Sequence, residues 1–395
     1  MNFVPYAIPF FILALLAEFV YAQMKGRHAY RLNDTVSSLS MGTLSRLRGV
    51  LQIGLGAAAF EALLADAALL TMGTDSAAAW VAAFVLYDLC YYFSHRYGHE
   101  WRILWAAHAA HHQSEEFNLS TALRQTSTGG LNAVFYIPLY LIGFPAEMLV
   151  SVGSLNLIYQ FWVHTEHVRR LGPLDYILVT PSNHRVHHAK NPCYIDRNYG
   201  GVFILWDRLF GTFTDEREDE PCVYGITRQL ASWNPLWANA HVYAEGLSDM
   251  RHASRFRDKV ALWFKGPGWR PEGVPEYAAN WRAPKYDPPA DPTQRWYAFV
   301  QFAVHVPVTL ALLAADFTNA QTLCCAALLA FGFYTQGAYM EGRPYATWLE
   351  LARAAGCAAM AGWLAEPVIA VYALITGTAA LTLQFRRGPA AGRLQ

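Results

Sequence analysis

Apolar residues along this chain are gathered into runs, and the runs fall into sets. The first set covers about 3–23, 50–72 and 77–94, each close to the roughly 20 residues a helix needs to cross the hydrocarbon core of a bilayer. Two shorter runs follow at about 131–143 and 146–162. Pro145 separates them and predicts a hairpin or re-entrant pair, because proline cannot continue a helix through its own position. From about 164 to 295 charges, Pro and Gly recur and no long apolar run exists, so a solvent-facing module is expected. Apolar character returns at about 296–316 and 319–338, and a last stretch from 355 to 384 is interrupted by Glu366 and Pro367. The pattern predicts an all-α integral membrane protein built as a multi-span helical bundle. It divides the chain into N-terminal transmembrane helices (1–76), a core (77–215), a segment completing or covering that core (216–295) and a C-terminal transmembrane region (296–395).

Composition sharpens this picture. Hydrophobic residues make up 54% of the chain and aromatic residues 14%, which suits rings seated at headgroup depth or lining an apolar pocket. The first run lacks a basic leader and carries Glu18, so it reads as a retained helix, not a cleaved signal. Formal net charge is zero, which leaves no global field to draw the chain onto nucleic acid. The six Cys lie far apart or adjacent, with no CxxC pair, and imply neither a disulfide framework nor a thiolate metal site. Lys25, Arg27, Arg31, Arg46 and Arg48 follow the first run, whereas the 73–76 turn carries only Asp75. A positive-inside reading therefore puts the first loop, and after two further crossings His95, on the cytoplasmic side.

Histidine changes the reading from architecture to chemistry. Fourteen His are present and ten lie between His95 and His188. They form the groups His95 and His99; His108, His111 and His112; and His184, His187 and His188, with His164 and His167 between the second and third. Spacings of three and four residues put imidazoles on one helical face, where they can converge on one ion. Neutral imidazole suits iron, zinc, nickel and copper, whereas calcium and magnesium call for oxygen ligands. Three groups hold more nitrogen donors than one tetrahedral zinc can use, so a histidine-box site for two metals is expected at the cytoplasmic boundary. His164, at the end of the hairpin, is expected to join it. His28, His241, His252 and His305 are isolated and read as ordinary surface or interior residues.

Around these groups lie candidates for supporting roles. Asp88, Tyr92, His95 and His99 form one stripe down the third span, and a carboxylate in a span is costly unless paired or functional. Asp88 is therefore weighed as the acceptor that orients a ligating imidazole, against a plain interhelical hydrogen bond. Tyr92, Glu116 and Asn118 are further candidates near the ligands, while Asp196, Asn198, Tyr199, Gly200 and Gly201 read as a structural brace. No Walker, Rossmann or serine-elbow pattern accompanies them. No haem-binding or donor-binding motif is present either, so an external electron donor is required and its binding residues are unknown.

Read with their neighbours, these groups resemble the fatty acid hydroxylase/sterol desaturase superfamily of integral-membrane di-iron oxygenases. The resemblance is carried by His95-Arg96-Tyr97-Gly98-His99-Glu100, Leu104-Trp105-Ala106-Ala107-His108, Asn118-Leu119-Ser120-Thr121-Ala122-Leu123-Arg124-Gln125, Asn183-His184-Arg185-Val186-His187-His188 and Trp206-Asp207-Arg208. It covers roughly 77 to 215 and, with the apolar tail after 295, is narrower for the alkylglycerol monooxygenase family. The resemblance implies nine ligands (His95, His99, His108, His111, His112, His164, His184, His187 and His188), two Fe ions, O2, a membrane lipid as substrate and hydroxylation of its chain. It further implies alkylglycerol as substrate, cleaved to a fatty aldehyde and glycerol through a hemiacetal. Tetrahydrobiopterin is the implied reductant, with a ferredoxin-type donor as the other possibility.

Three other readings compete. A sterol, carotenoid or sphingolipid hydroxylase or desaturase would use the same ligands, a zinc-dependent membrane hydrolase would need no O2, and a metal transport or storage protein would carry ions through polar groups inside the spans. The last fits poorly, because the histidine groups mostly lie beyond the span ends.

Overall fold

The structure, a computed structural model, describes residues 1–51, 57–314 and 317–386. Among them are the helices α1 (Val4–Met24), α2 (Leu32–Leu51), α3 (Ala57–Leu64), α4 (Ala77–Glu100), α5 (Arg102–His112), α6 (Leu119–Ala122), α7 (Ile137–Ile142) and α8 (Ala146–Trp162). They continue with α9 (Pro181–His188), α10 (Leu205–Phe210), α11 (Pro235–His252), α12 (Phe256–Phe264), α13 (Pro292–Ala314), α14 (Asn319–Met340), α15 (Ala346–Leu364) and α16 (Pro367–Arg386). Strand pairing among the described residues is confined to two isolated bridges, Leu178 with Phe203 and Ala189 with Tyr224. The all-α membrane architecture expected from the apolar runs is what the chain adopts. Four described helices, α1, α4, α14 and Pro367–Gln384 of α16, are long and apolar enough to cross a bilayer.

Local sequence explains the boundaries that matter for the site. Ser76 caps α4, accepting from the Ala79 amide at 3.3 Å, which satisfies one of the amides a helix start leaves without a partner. At the other end Trp101 is extended (φ −116°, ψ 122°) and serves both as the C-cap of α4 and the N-cap of α5. One residue of extended backbone thus folds α5 against the last turns of α4. Pro145 stands immediately before α8, as the split between the two apolar runs predicts, and Pro181 opens α9, where its missing N–H costs nothing.

Two expectations along the N-terminal part are corrected. The run 50–72 falls partly on residues 52–56, outside the described residues, and its remainder is not a continuous span: α3 has eight residues and ends in a 3-10 turn, Ala65–Ala67. Beyond it the Leu69 and Met72 amides donate to the carbonyls of Leu141 and Gly143 at 2.8 and 3.1 Å. Gly143 permits that approach, because its φ of 108° suits glycine and a Cβ there would strike the Leu70 carbonyl oxygen. The charged stretch after α1, expected as a loop, contains the 20-residue helix α2. Its Met41, Leu44 and Leu47 recur at three-residue spacing and are buried, a stripe that basic neighbours mask in a search for unbroken apolar runs.

The chain forms two compact units. One comprises residues 1–31, 52–230 and 239–285 and holds every histidine of the three groups. Within it α4 packs on α5 and α8, and α1 packs on α8. The other comprises 32–51, 231–238 and 286–395. Within that unit α2 lies against α13 and α14 around a core that includes Val36, Leu44, Phe302, Leu329 and Phe333.

Candidate metal centre

The last two turns of α4 carry His95 and His99, α5 carries His108, His111 and His112, α9 carries His184, His187 and His188, and His164 follows the end of α8. The structure brings these nine rings together in two groups. His95, His99, His108, His112 and His187 form one, and His111, His164, His184 and His188 the other; within each, one nitrogen per ring lies within 4.8 Å of every other. All nine are buried or nearly so. Helical spacing accounts for the split: on α5, His108 and His112 are four apart and share a face, while His111 is rotated toward the second group.

Backbone carbonyls fix several of the rings. The Nδ1 of His95 bonds to the Tyr199 carbonyl at 2.7 Å, that of His111 to Arg124 at 3.0 Å, that of His164 to Gln160 at 2.8 Å and that of His187 to Arg197 at 3.0 Å. A carbonyl only accepts, so in each of these rings Nδ1 carries the hydrogen and Nε2 of the neutral ring presents a bare lone pair. Yet the Nε2 atoms of His111 and His164 face each other at 3.2 Å. Two lone pairs cannot bond to one another, and a proton between them is disfavoured, since burial pulls His111 down to about 4 and His164 well below the ordinary histidine range.

A shared cation would resolve the conflict. Other Nε2 pairs stand at 2.9 Å (His95 with His108, His108 with His112), 3.0 Å (His164 with His184) and 3.1 Å (His184 with His188). Such spacings are close enough for neighbouring nitrogens to share one ion at an ordinary metal–nitrogen distance of about 2.1 Å. The Nε2 atoms of His99 and His187 are buried and have no hydrogen-bond partner. Burial also holds His108, His112, His184, His187 and His188 well below the usual range, keeping the rings in the neutral form that binds metal. By donor type, spacing and unmet valence, the two groups fit a pair of nitrogen-liking transition ions.

Of the two roles weighed for Asp88, the geometry matches the interhelical hydrogen bond, made with Asn156 of α8. Asp88 is fully buried, but it meets no imidazole: its oxygens accept from Asn156 Nδ2 (2.6 Å), the Val202 and Phe203 amides (2.8 and 3.0 Å) and Trp206 Nε1 (2.9 Å). A Cβ on Gly201 would come within 2.7 Å of Asp88 Oδ1, so glycine there lets the loop reach the carboxylate. Asp207 takes the Tyr199 and Gly200 amides, both at 2.7 Å. The loop after the third group is thus held by two carboxylates, and it presents the Tyr199 and Arg197 carbonyls to His95 and His187. Those carbonyls, with those of Arg124 and Gln160, are what sequence reasoning missed, since a backbone acceptor leaves no residue-type signal.

Tyr92 stacks on Phe210 and contacts Thr212 Oγ1 at 3.0 Å, outside the ring cluster. Glu116 pairs with Arg31 and with Lys285 Nζ at 2.6 Å. Asn118 caps α6 through the Ser120 amide at 3.0 Å and donates to the Ala29 carbonyl at 2.6 Å. His167 joins neither group. Phe117 was not singled out from the sequence, yet its ring lies 5.6 Å from that of His164 and 5.2 Å from that of His188. Trp105, similarly, lies 5.0 Å from His99. These rings wall the cluster with apolar surface.

Comparison with known proteins places the chain in a family. A family model described as fatty acid hydroxylase matches residues 80–212, the interval that contains all nine rings. Alkylglycerol monooxygenase of Danio rerio is 39% identical over 323 residues, covering 79% of this chain and 71% of the relative. That of Homo sapiens is 38% identical over 77% of this chain and 69% of the relative. An ornithine lipid hydroxylase of Rhizobium tropici is 32% identical over a shorter stretch, 38% of this chain and 46% of the relative. No solved structure matches the chain.

Proposed function

The chain belongs to the alkylglycerol monooxygenase family, built on a fatty acid hydroxylase core, and from that premise we propose that it is a membrane lipid monooxygenase whose nine converging histidines hold two iron ions. The observation that carries the reading is the pair of buried imidazole groups whose lone pairs face one another. His95, His99, His108, His112 and His187 would hold one ion and His111, His164, His184 and His188 the other. When bound, such a pair supplies redox chemistry toward O2 and a C–H bond, which no side chain here can supply alone.

The protein's own contribution is placement. Carbonyls of Tyr199, Arg124, Gln160 and Arg197 set ring orientation, and second contacts of this kind tune how strongly an imidazole donates. Phe117 and Trp105 keep water from the rings. The substrate of this reading is an alkylglycerol, by analogy with the named relatives. Hydroxylation at the carbon beside the ether oxygen consumes O2, two electrons and two protons and releases one water. The hemiacetal so formed collapses to a fatty aldehyde and glycerol. A reduced pterin or a ferredoxin-type donor would provide the electrons. Arg31, one of the basic residues after α1, pairs with Glu116 just beyond the second histidine group, which supports a cytoplasm-facing centre by the positive-inside tendency, and a bilayer location spares a long alkyl chain the cost of leaving an apolar medium, about 0.8 kcal/mol per CH2.

The test is anaerobic purification with metal analysis, then turnover of an alkylglycerol panel under labelled O2 with each donor class. Two irons per chain and aldehyde formed only with O2 and reductant are expected. Ether cleavage without O2 in zinc-loaded protein would overturn the oxygenase reading, and oxidation of a sterol or ornithine lipid in place of the ether would overturn the substrate.

A further inference from the structure

We propose that the groove between α1 and the end of α8 seats the substrate, and that its occupant is a single-chain lipid taken sideways from the bilayer, tail along α1 and polar head at His167. The proposal rests on the lipid oxygenase reading above and assigns it a place. The groove has a volume of about 560 Å³, within the range of pockets that hold small molecules. It follows α1 from Phe10 to Tyr21, a run of about 16 Å at 1.5 Å per residue.

Its two ends differ in chemistry. Phe10, Phe11 and Ile158 line one end, and Glu18, Thr165 and His167 the other. Glu18 is a buried carboxylate in a membrane-spanning helix, a placement that calls for partners or a function. It has partners: the Leu119 amide donates to it at 2.8 Å, and the hydroxyls of Tyr30 and Thr165 do likewise. Glu18 therefore fixes Thr165, the neighbour of His164. His167 is the opposite case. Both its ring nitrogens are shielded from solvent and neither has a hydrogen-bond partner, while Tyr21 holds the ring edge-on at 5.0 Å. A neutral imidazole offers one donor and one acceptor, which, once the ring turns to face the groove, matches the hydroxyls of a small polar head. Leaving them unmet costs on the order of 1–3 kcal/mol.

The boundary between the two ends adjoins the metal centre through neighbours in the chain. Thr165 follows His164 in the chain, and Leu119 lies two residues beyond Phe117, whose ring faces those of His164 and His188. A lipid with its head on His167 would lay its first chain carbons at this boundary, and the carbon beside an ether oxygen is one of them. At the far end Phe10 is exposed on α1, so the tail has a lateral way in.

The experiment uses the full-length protein in nanodiscs and a hexadecylglycerol with a photoreactive diazirine at the tail end, adducts being mapped by peptide mass spectrometry. Adducts at Phe10, Phe11 or Ile158, competed away by plain hexadecylglycerol, are expected; competed adducts confined to other helices would overturn the proposal. Ala14→Trp, which fills the groove midway, should raise KM for a sixteen-carbon chain by about tenfold or more while sparing an eight-carbon one. His167→Phe should raise KM for both by about tenfold with iron content unchanged. Unchanged KM in both variants would overturn the groove. The labelling reads binding without turnover. Labelled α1 with no oxidised product therefore defeats the function and keeps the groove, whereas normal turnover with labels elsewhere does the reverse.

Discussion

Two buried polar clusters in this protein, one around the histidines and one among the C-terminal helices, differ in what their atoms lack. In the C-terminal unit Arg353 of α15 is 2% exposed. It donates to Glu350 at 2.9 Å, Gln301 at 3.2 Å and the Tyr372 hydroxyl at 2.9 Å. Glu350 in turn accepts from the Tyr297 hydroxyl, and Tyr372 donates to Gln301 at 2.6 Å. Each charge finds its complement within the fold, and the network ties α13, α15 and α16 together. In the histidine centre lone pairs face lone pairs, and three ring nitrogens, His99 Nε2, His184 Nδ1 and His187 Nε2, have no hydrogen-bond partner. A saturated network describes a joint; an unsaturated one describes a site made for something the chain does not itself contain.

The sharpest way to break this comparison is to remove one ligand. His187→Ala deletes a ring whose Nδ1 is held by Arg197 and whose Nε2 is unmet. Turnover should be abolished and iron per chain should fall, with the helical circular dichroism retained. Full iron content in this variant would sink the two-group assignment. The next largest effect belongs to the other cluster. Arg353→Met leaves the Glu350 carboxylate buried without its counter-charge and should destabilise the protein by about 3–5 kcal/mol, seen as a lower Tm in detergent. Iron per folded chain should stay the same. Adding Glu350→Gln should recover part of the loss, because the unpaired charge goes with it. Loss of iron from the folded fraction of Arg353→Met would mean that the two clusters are not separable.

A subtler change tests how far the centre depends on its surroundings. Asp88→Asn keeps the shape but turns an NH2 toward donors that now meet a carboxylate oxygen, at about 1–3 kcal/mol for the mismatch. The loop that carries the Tyr199 carbonyl to His95 should loosen, and iron affinity should fall by about tenfold, measured as faster loss to a chelator. Thermal destabilisation with unaltered iron loss would make Asp88 a brace for the helices alone.

Asp88 also marks where the sequence stops being informative. Its helical register with His95 and His99 is visible in spacing, and so is the convergence of the three histidine groups, because ligand type and periodicity are properties of the residues themselves. Its true partners are amides 114 and 115 residues away, and nothing in a residue's identity reveals which backbone groups will meet it. The tautomer-setting carbonyls were hidden for the same reason. Helix α2 was hidden differently, since its buried side mixes Met41, Leu44 and Leu47 with the polar Asn33, Asp34, Ser37 and Ser38. His164 was legible because it follows a hairpin that returns to the side of the other rings, whereas the unmet nitrogens of His167 emerge only once α1 is packed against α8.

The smallest expected effect sharpens the comparison from outside both clusters. His252 ends α11 and, like His164, bonds its Nδ1 to the carbonyl four residues before it, here Ser248 at 2.9 Å. Judged by that contact alone it is indistinguishable from a ligand. It is exposed, however, so water satisfies its other nitrogen, and among the described residues no second ring meets it. His252→Ala should therefore change stability by no more than about 0.5 kcal/mol and leave iron content and turnover as they are. If iron fell in that variant, a carbonyl-anchored imidazole would be enough to recruit metal here. Convergence of buried lone pairs would then no longer be what separates the centre from an ordinary histidine.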